Sequence, residues 1–221
     1  MDTPVSPLRG RKLHYEQKSS GYFSQTERER RVLKLVGGPG LQVLDVGCAG
    51  GHLGKFVQEH GNTVDGADLS DSAAEKARAT LRNVYVFDIE ATWPAEVANG
   101  SYDVAILGEV LEHVFNPVEV LAEVRRALKP GGRVVITTPN FTLWIARLQF
   151  LFGRFRYQKY GIWDFGHIRW FTYKYLNEVL QEANFELLEE MHLPHPRSLD
   201  RVVDWWPSLL AYHFIVSARA K

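Results

Sequence analysis

Four acidic residues and one glycine-rich turn have the spacing that a binding crevice needs. The turn is Asp45-Val46-Gly47-Cys48-Ala49-Gly50-Gly51, which follows directly from an apolar run. Glycines at such a place let the backbone approach a ligand and let the next helix start tight against the strand. Asp68 closes the next apolar run, 21 residues after Gly47, where an acid can accept from both hydroxyls of a ribose. Asp88 closes the third run, where a carboxylate can accept from an adenine amino group, and Glu109 follows the fourth. Each acid alone reads equally well as a helix cap. At the carboxyl ends of consecutive strands they together outline a nucleoside-sized crevice. A dinucleotide loop would show G-x-G-x-x-G, whereas the spacing here is Gly47-x-Ala49-x-Gly51 with Asp45 just upstream. A carboxylate in that place repels a pyrophosphate and suits an ammonium or sulfonium group, a charge logic that favours S-adenosylmethionine.

The acid that ends the fourth run belongs to a second group. Glu109, Glu112 and His113 stand at i, i+3 and i+4, so a helix would present all three on one face. Two carboxylates and an imidazole there suit a divalent metal, with His167 as a fourth ligand from farther along the chain. Without metal, His113 or His167 is the natural general base, because imidazole titrates near neutrality. Both readings stay open.

The elements that must position these groups follow from periodicity. Apolar runs at 42–46, 63–67, 84–87, 102–107 and 133–137 alternate with helix-like stretches at 52–59, 72–81 and 117–128. Strands that are apolar on both faces, alternating with helices, predict an α/β, doubly wound, mostly parallel sheet. Thr26 with Glu29 reads as a capping box ahead of Val32, Leu33 and Val36, and 37–40 (Gly-Gly-Pro-Gly) ends that helix. Thr172 caps a later helix through Ala183, and runs at 185–189 and 212–218 are expected to close the sheet. The first 25 residues read as a loosely held arm before a domain over 26–221. Lys plus Arg equals Asp plus Glu at 26 each, so no overall charge points to nucleic acid. Cys48 is the only cysteine, which excludes an internal disulfide. With no long apolar stretch and no signal-like start, a cytoplasmic protein is expected.

The run 43–51 (Val-Leu-Asp-Val-Gly-Cys-Ala-Gly-Gly), Gly66-Ala67-Asp68-Leu69-Ser70, Tyr102-Asp103-Val104, Glu109-Val110-Leu111-Glu112-His113 and 128–133 (Leu-Lys-Pro-Gly-Gly-Arg) resembles class I S-adenosylmethionine-dependent methyltransferases across residues 41–139. The resemblance implies a seven-stranded sheet with one antiparallel strand. It implies that Asp45 and the loop Gly47, Cys48, Ala49 and Gly51 hold the methionine part. Asp68 and Leu69 then take the ribose, Asp88 and Ile89 the adenine, while Gly108 and Glu109 close the cofactor site. Ala49 stands where glycine is common, a change without cost only if its φ is negative. Some small families in this class bind metal through a similar Glu-x-x-Glu-His with a distant His; in many other relatives the same motif carries no metal.

Residues 141–175 break the rhythm. They hold 13 aromatic side chains and six Lys or Arg against one acid, Asp164, where a plain connection needs only a few residues. Three readings compete for this insertion, about 139–171: an aromatic-rich helical lid packed on the core, a substrate cover, or an interfacial patch in peripheral contact with a membrane. As a cover, Trp144, Tyr160, Trp163 and Trp170 would wall a site charged by Arg147, Arg154, Arg156 and Arg169. Pro139-Asn140-Phe141, Gly161-Ile162-Trp163-Asp164 and 167–172 (His-Ile-Arg-Trp-Phe-Thr) are similar to methyltransferases of glycan biosynthesis and to a methionine-biosynthesis-associated methyltransferase-like family. That resemblance implies O-methylation of a sugar, glycan precursor or other small metabolite, with His167 and Arg169 at the acceptor; the residue readings add His113 near it and Trp144, Arg147 and Trp163 around it. The rivals are a metal-assisted quinone or phenol O-methyltransferase and a non-catalytic, cofactor-binding regulatory subunit.

Overall fold

Neighbouring residues of a strand point to opposite faces, so a strand that is apolar at both needs a helical layer on each side. Val43 and Leu44, Ile106 and Leu107, and Val135 and Ile136 are such pairs, all fully buried. The computed structural model describes residues 27–158 and 161–221. The N-terminal arm, the Thr26 cap and Tyr160 lie outside the described residues. The chain runs α1 (Glu27–Val36), β1 (Gln42–Val46), α2 (His52–Glu59), β2 (Thr63–Asp68), α3 (Asp71–Ala77), β3 (Val84–Val86) and β4 (Tyr102–Gly108). It continues through α4 (Pro117–Ala127), β5 (Leu128–Pro139), α5 (Trp144–Leu151), α6 (Tyr173–Glu182), β6 (Phe185–Glu190), β7 (Leu193–Pro194), α7 (Pro207–Leu210) and β8 (Ala211–Ala220).

The strands lie in the order β3-β2-β1-β4-β5-β8-β6. Pairing is parallel from β3 to β5, and β8 runs antiparallel to both β5 and β6. Where seven strands are expected there are eight, because the two-residue β7 also pairs with β8. Strand order reverses between β1 and β4, and such a switch point opens a crevice at the carboxyl ends of the strands. One core layer unites Leu44, Leu107 and Ile136 with Leu121 of α4 and Leu180 of α6; the other unites Val43, Ile106 and Val135 with Val32 of α1 and Val57 of α2.

Local signals place the helices. Thr172 accepts from the Tyr175 amide at 3.0 Å, as its position implies, and Asn116 caps α4 with Pro117 at the first turn. Strand β5 begins five residues before the expected run. Leu128 pairs with Tyr102, the chain bulges, and Arg133 resumes opposite Val104. Beyond β5, Leu143, Ala146, Ile162 and Trp163 form a small separate core beneath the aromatic segment.

Candidate active site

The glycine turn is fastened to β2. The amides of Gly47 and Cys48 both donate to the Ala67 carbonyl, at 2.7 and 3.0 Å, and the Ala49 amide donates to Asp68 Oδ2 at 2.8 Å. The loop amides that a phosphate would need are therefore already engaged, in line with the charge argument from Asp45. Close approach explains Gly66: a Cβ there would stand 2.7 Å from Cys48 Sγ. Gly47, Ala49 and Gly51 all take positive φ, so Ala49, at φ 46°, sits in the conformation that glycine enters at no cost.

Asp68 is buried at the end of β2, and its other oxygen accepts the Ser70 amide at 2.8 Å. A carboxylate offers about four acceptor positions, so these two amides leave further positions open to a ligand's donors. Burial raises its carboxyl above the usual range, with the amides of Ser70, Ala49 and Leu69 opposing. Asp45 lies behind the turn, 2% exposed, with no hydrogen-bond partner at Oδ2. Burial pushes it up to about 7; the Gly54 amide opposes this and the charge of Asp68 adds to it. Burial likewise raises the Cys48 thiol. Asp88 follows β3 and caps its own turn through the Glu90 amide at 3.0 Å, while the Ile89 carbonyl receives Trp93 Nε1 at 2.9 Å. Orphaned Asp45 Oδ2 and the remaining lone pairs of Asp68 suit a cationic, ribose-bearing cofactor.

The Glu-x-x-Glu-His segment is not one helical face. Glu109 has φ 59°, and only Leu111–His113 form a single 3₁₀ turn. Adjacent threonines of β5 point to opposite faces and draw the two glutamates apart. Thr137 donates to Glu109 at 2.8 Å and Thr138 donates to Glu112 at 3.1 Å. Glu109 meets His213 of β8 at 3.0 Å and Arg28 of α1 at 3.7 Å. Burial acts to raise its carboxyl, but His213, Arg28 and the Thr137 hydroxyl outweigh it and hold the group well below the usual carboxylate range. Glu112 goes the other way, raised by burial and by the charge of Glu109.

Glu109 therefore drops out of the expected four-ligand set. Glu112, His113 and His167 remain, all buried, with ligand atoms within 4.8 Å of one another. The Ile168 and Arg169 amides both donate to the Glu112 carbonyl, at 2.9 and 3.0 Å, and so bring His167 to the end of β4. His113 Nδ1 lies 2.8 Å from the Gly166 carbonyl and His167 Nδ1 lies 3.1 Å from that of Ile162.

The other expected acceptor residues are engaged in hydrogen bonds within the lid or from the lid to its neighbours. Trp144 donates to the His195 carbonyl, Arg147 to the carbonyls of Thr142 and Ser208, Arg169 to that of Phe115, and Trp163 to Gln149. Trp163 is buried, with the rings of Phe141, Phe150 and Phe155 at its edges. Sequence reasoning missed His213. Its only signal is that a residue near the start of the last strand falls opposite the end of β5, where it pairs with Pro139. A groove of about 480 Å³ runs beside the lid, with His167, Arg169, Trp170 and Tyr175 among its walls.

Residues 20–190 match the model of a family described as a methyltransferase domain. Ubiquinone biosynthesis O-methyltransferase of Thiobacillus denitrificans is 41% identical over 105 residues, which is 46% of this chain and 45% of that protein. The chain thus aligns with less than half the length of that curated relative. The crystal structure of an S-adenosylmethionine-dependent methyltransferase from Mesorhizobium loti superposes with a TM-score of 0.60 at 20% identity, covering 87% of this chain and 97% of that one. Magnesium protoporphyrin IX methyltransferase of Synechocystis PCC 6803, solved with bound SAH, gives 0.60 at 18% identity over 100% of this chain and 90% of its own. With a crevice of acids at the switch point of a 3-2-1-4-5 sheet, the chain belongs to the methyltransferase-domain family and has the class I S-adenosylmethionine-dependent methyltransferase fold.

Proposed function

We propose that the chain transfers a methyl group from S-adenosylmethionine to a hydroxyl of a small acceptor, a sugar or glycan precursor or a metabolite of similar size. The observation that carries this reading is the pair His113 and His167, ring centroids 4.8 Å apart, at the strand end beside the acid crevice. When bound, the cofactor supplies an already activated sulfonium methyl. The protein's work is then to align the acceptor, exclude water and take a proton. Asp68 is assigned the ribose hydroxyls, Asp88 and Ile89 the adenine, and Asp45, the loop, Gly108 and Glu109 the methionine end. Backbone carbonyls at both Nδ1 atoms keep the proton there in the neutral ring, which makes Nε2 the accepting atom of each imidazole. Trp144, Arg147, Trp163 and Arg169 give the acceptor side its shape, Arg169 within the groove that also reaches His167.

A second reading has its own observation. Glu112 Oε1 is buried without a hydrogen-bond partner, between two imidazoles in ligand range. That donor set suits a divalent ion, whose chemistry would be to acidify the acceptor hydroxyl. It favours a phenol-type acceptor, the class that the name of the Thiobacillus denitrificans relative suggests.

The test is turnover on a panel of sugars and catechols, with and without chelator, for the parent and His167→Asn. Base catalysis predicts indifference to chelation and a fall in kcat of roughly 10²-fold or more in the variant, with cofactor affinity kept. The metal reading predicts loss on chelation and recovery with added divalent ion. Tight cofactor binding without turnover on any acceptor would leave the regulatory subunit.

A further inference from the structure

We propose that the outer face of the lid is a docking surface for an anionic lipid bilayer. Leu151, Phe152 and Phe165 are 75%, 71% and 56% exposed, and Phe155, Tyr157 and Trp170 are exposed beside them. Scattered exposed apolar residues are ordinary, but a contiguous patch marks an interaction site. Ring contacts join part of it, with Phe155 5.0 Å from Tyr157 and 6.0 Å from Trp170, and Tyr157, Phe165 and Trp170 line one groove. The lid's interior is filled by Leu143, Ala146, Ile162 and Trp163, with Phe155 and Trp170 packed on Trp163 and Phe141, and Leu151 and Phe152 are not part of that core.

Charge selects the partner. The chain has no formal net charge, yet every charged residue of 144–158 is an arginine. The one acid of the lid, Asp164, is 2% exposed. Arg147 and Arg169 are tied to carbonyls, whereas Arg154 and Arg156 are exposed and make no ion pair among the described residues. They follow directly on the exposed tip at Phe152 and Gly153, where even an added Cβ at Gly153 would meet nothing within 4 Å. Apolar tips rimmed by guanidinium groups fit a bilayer interface, with the side chains in the acyl boundary and the charges at anionic headgroups. A second copy fits poorly, since a two-fold contact would set Arg154 and Arg156 against themselves. Among the described residues no helix is long and apolar enough to cross a membrane, so the contact is peripheral. The groove beside His167 shares Tyr157, Phe165 and Trp170 with this face, but docking does not depend on the methyl-transfer reading.

Flotation of the whole chain with vesicles tests the proposal. The protein should rise with phosphatidylcholine–phosphatidylglycerol vesicles, stay behind with phosphatidylcholine alone, and be released by salt. Replacing Arg154→Gln with Arg156→Gln should lower partitioning roughly 30-fold, at about 1 kcal/mol for each basic residue near the surface. The pair Leu151→Ser with Phe152→Ser should abolish it even at low salt. Both variants should keep the parent's melting temperature, since the changed groups are exposed. Failure of the parent to float with the anionic vesicles would overturn the proposal. So would a dimer of the parent in sedimentation that Leu151→Ser with Phe152→Ser turns into a monomer.

Discussion

In the strand-end crevice, geometry is set by the backbone: three loop amides donate to β2, and Asp68 receives two amides. In the lid, geometry is set by side chains: Trp163 is ringed by phenylalanines, and Phe141 stacks on Trp170 at 4.5 Å. The first arrangement dictates a few residue types at fixed positions. The second only asks for aromatic volume, so many sequences satisfy it. The two regions should therefore fail differently.

The largest effect belongs to the crevice. Asp68→Ala should weaken binding of S-adenosylmethionine at least ~100-fold in calorimetry, because hydrogen bonds to a charged group contribute about 1.5–3 kcal/mol each. The lid should stay folded in that variant. An unchanged affinity would remove Asp68 from the cofactor site and with it the reading of the acid series.

The corresponding strike at the lid is Asn140, fully buried where β5 ends. Its amide donates to the carbonyls of Pro207, Ser208 and Ala211 at 3.3, 3.1 and 2.8 Å, and its oxygen accepts from the amide and hydroxyl of Thr142, both at 2.8 Å. Asn140→Ala leaves several of these without a partner and should cost about 2–4 kcal/mol in denaturant unfolding. Proteolysis should then begin within the lid, while cofactor affinity stays close to the parent's. If stability does not change, the aromatic stacks alone fix the lid.

The same division governs what could be read from the sequence. Asp68, Asp88 and Glu109 were legible because each is the polar residue that ends or follows an apolar run, and strand ends are set by local periodicity. The capping role of Thr172 was legible for the same reason. The spacing of Glu109, Glu112 and His113 misled, because i, i+3, i+4 puts groups on one face only in a helix. Here a left-handed Glu109 and the opposed side chains of Thr137 and Thr138 send the glutamates to different faces. The contact of His213 with Glu109 depends on β8 returning antiparallel beside β5, a pairing that no local pattern specifies in register. Strand β7, two residues long, is too short to have a period. For Arg147 and Arg169 the charge was legible, but the Ser208 and Phe115 carbonyls they reach are distant in sequence.

A pH-dependent effect separates stability from binding inside the crevice. Asp45 has its carboxyl pushed up to about 7, chiefly by burial. A raised acid binds its proton more readily in the folded state than in the unfolded chain. Its contribution to stability is complete below the ordinary aspartate range and is lost as pH rises toward 7. Asp45→Asn removes that dependence. The variant should be more stable than the parent at pH 8, by about 4 kcal/mol, with the difference closing as pH falls to about 4. Thermal melts across that range read it directly. A gap independent of pH would mean that Asp45 is not the group titrating.

The smallest effect tests whether the loop carries strain. Ala49 sits at φ 46°, held there by its amide bond to Asp68. A left-handed conformation costs an L-residue on the order of 1–2 kcal/mol, and Ala49→Gly removes that cost. Glycine also widens the unfolded ensemble, which returns about 0.4–1 kcal/mol to the unfolded side. The net gain should be at most about 1 kcal/mol, or ~2–4 °C in melting temperature for a chain of this size. Cofactor affinity, measured beside it, decides what the alanine does. A gain in stability with affinity unchanged would make the strain a property of the loop alone, carried by its ties to β2. A gain in stability with weaker binding would put the Ala49 methyl against the ligand. The crevice would then share one trait with the lid, a side chain that shapes what binds.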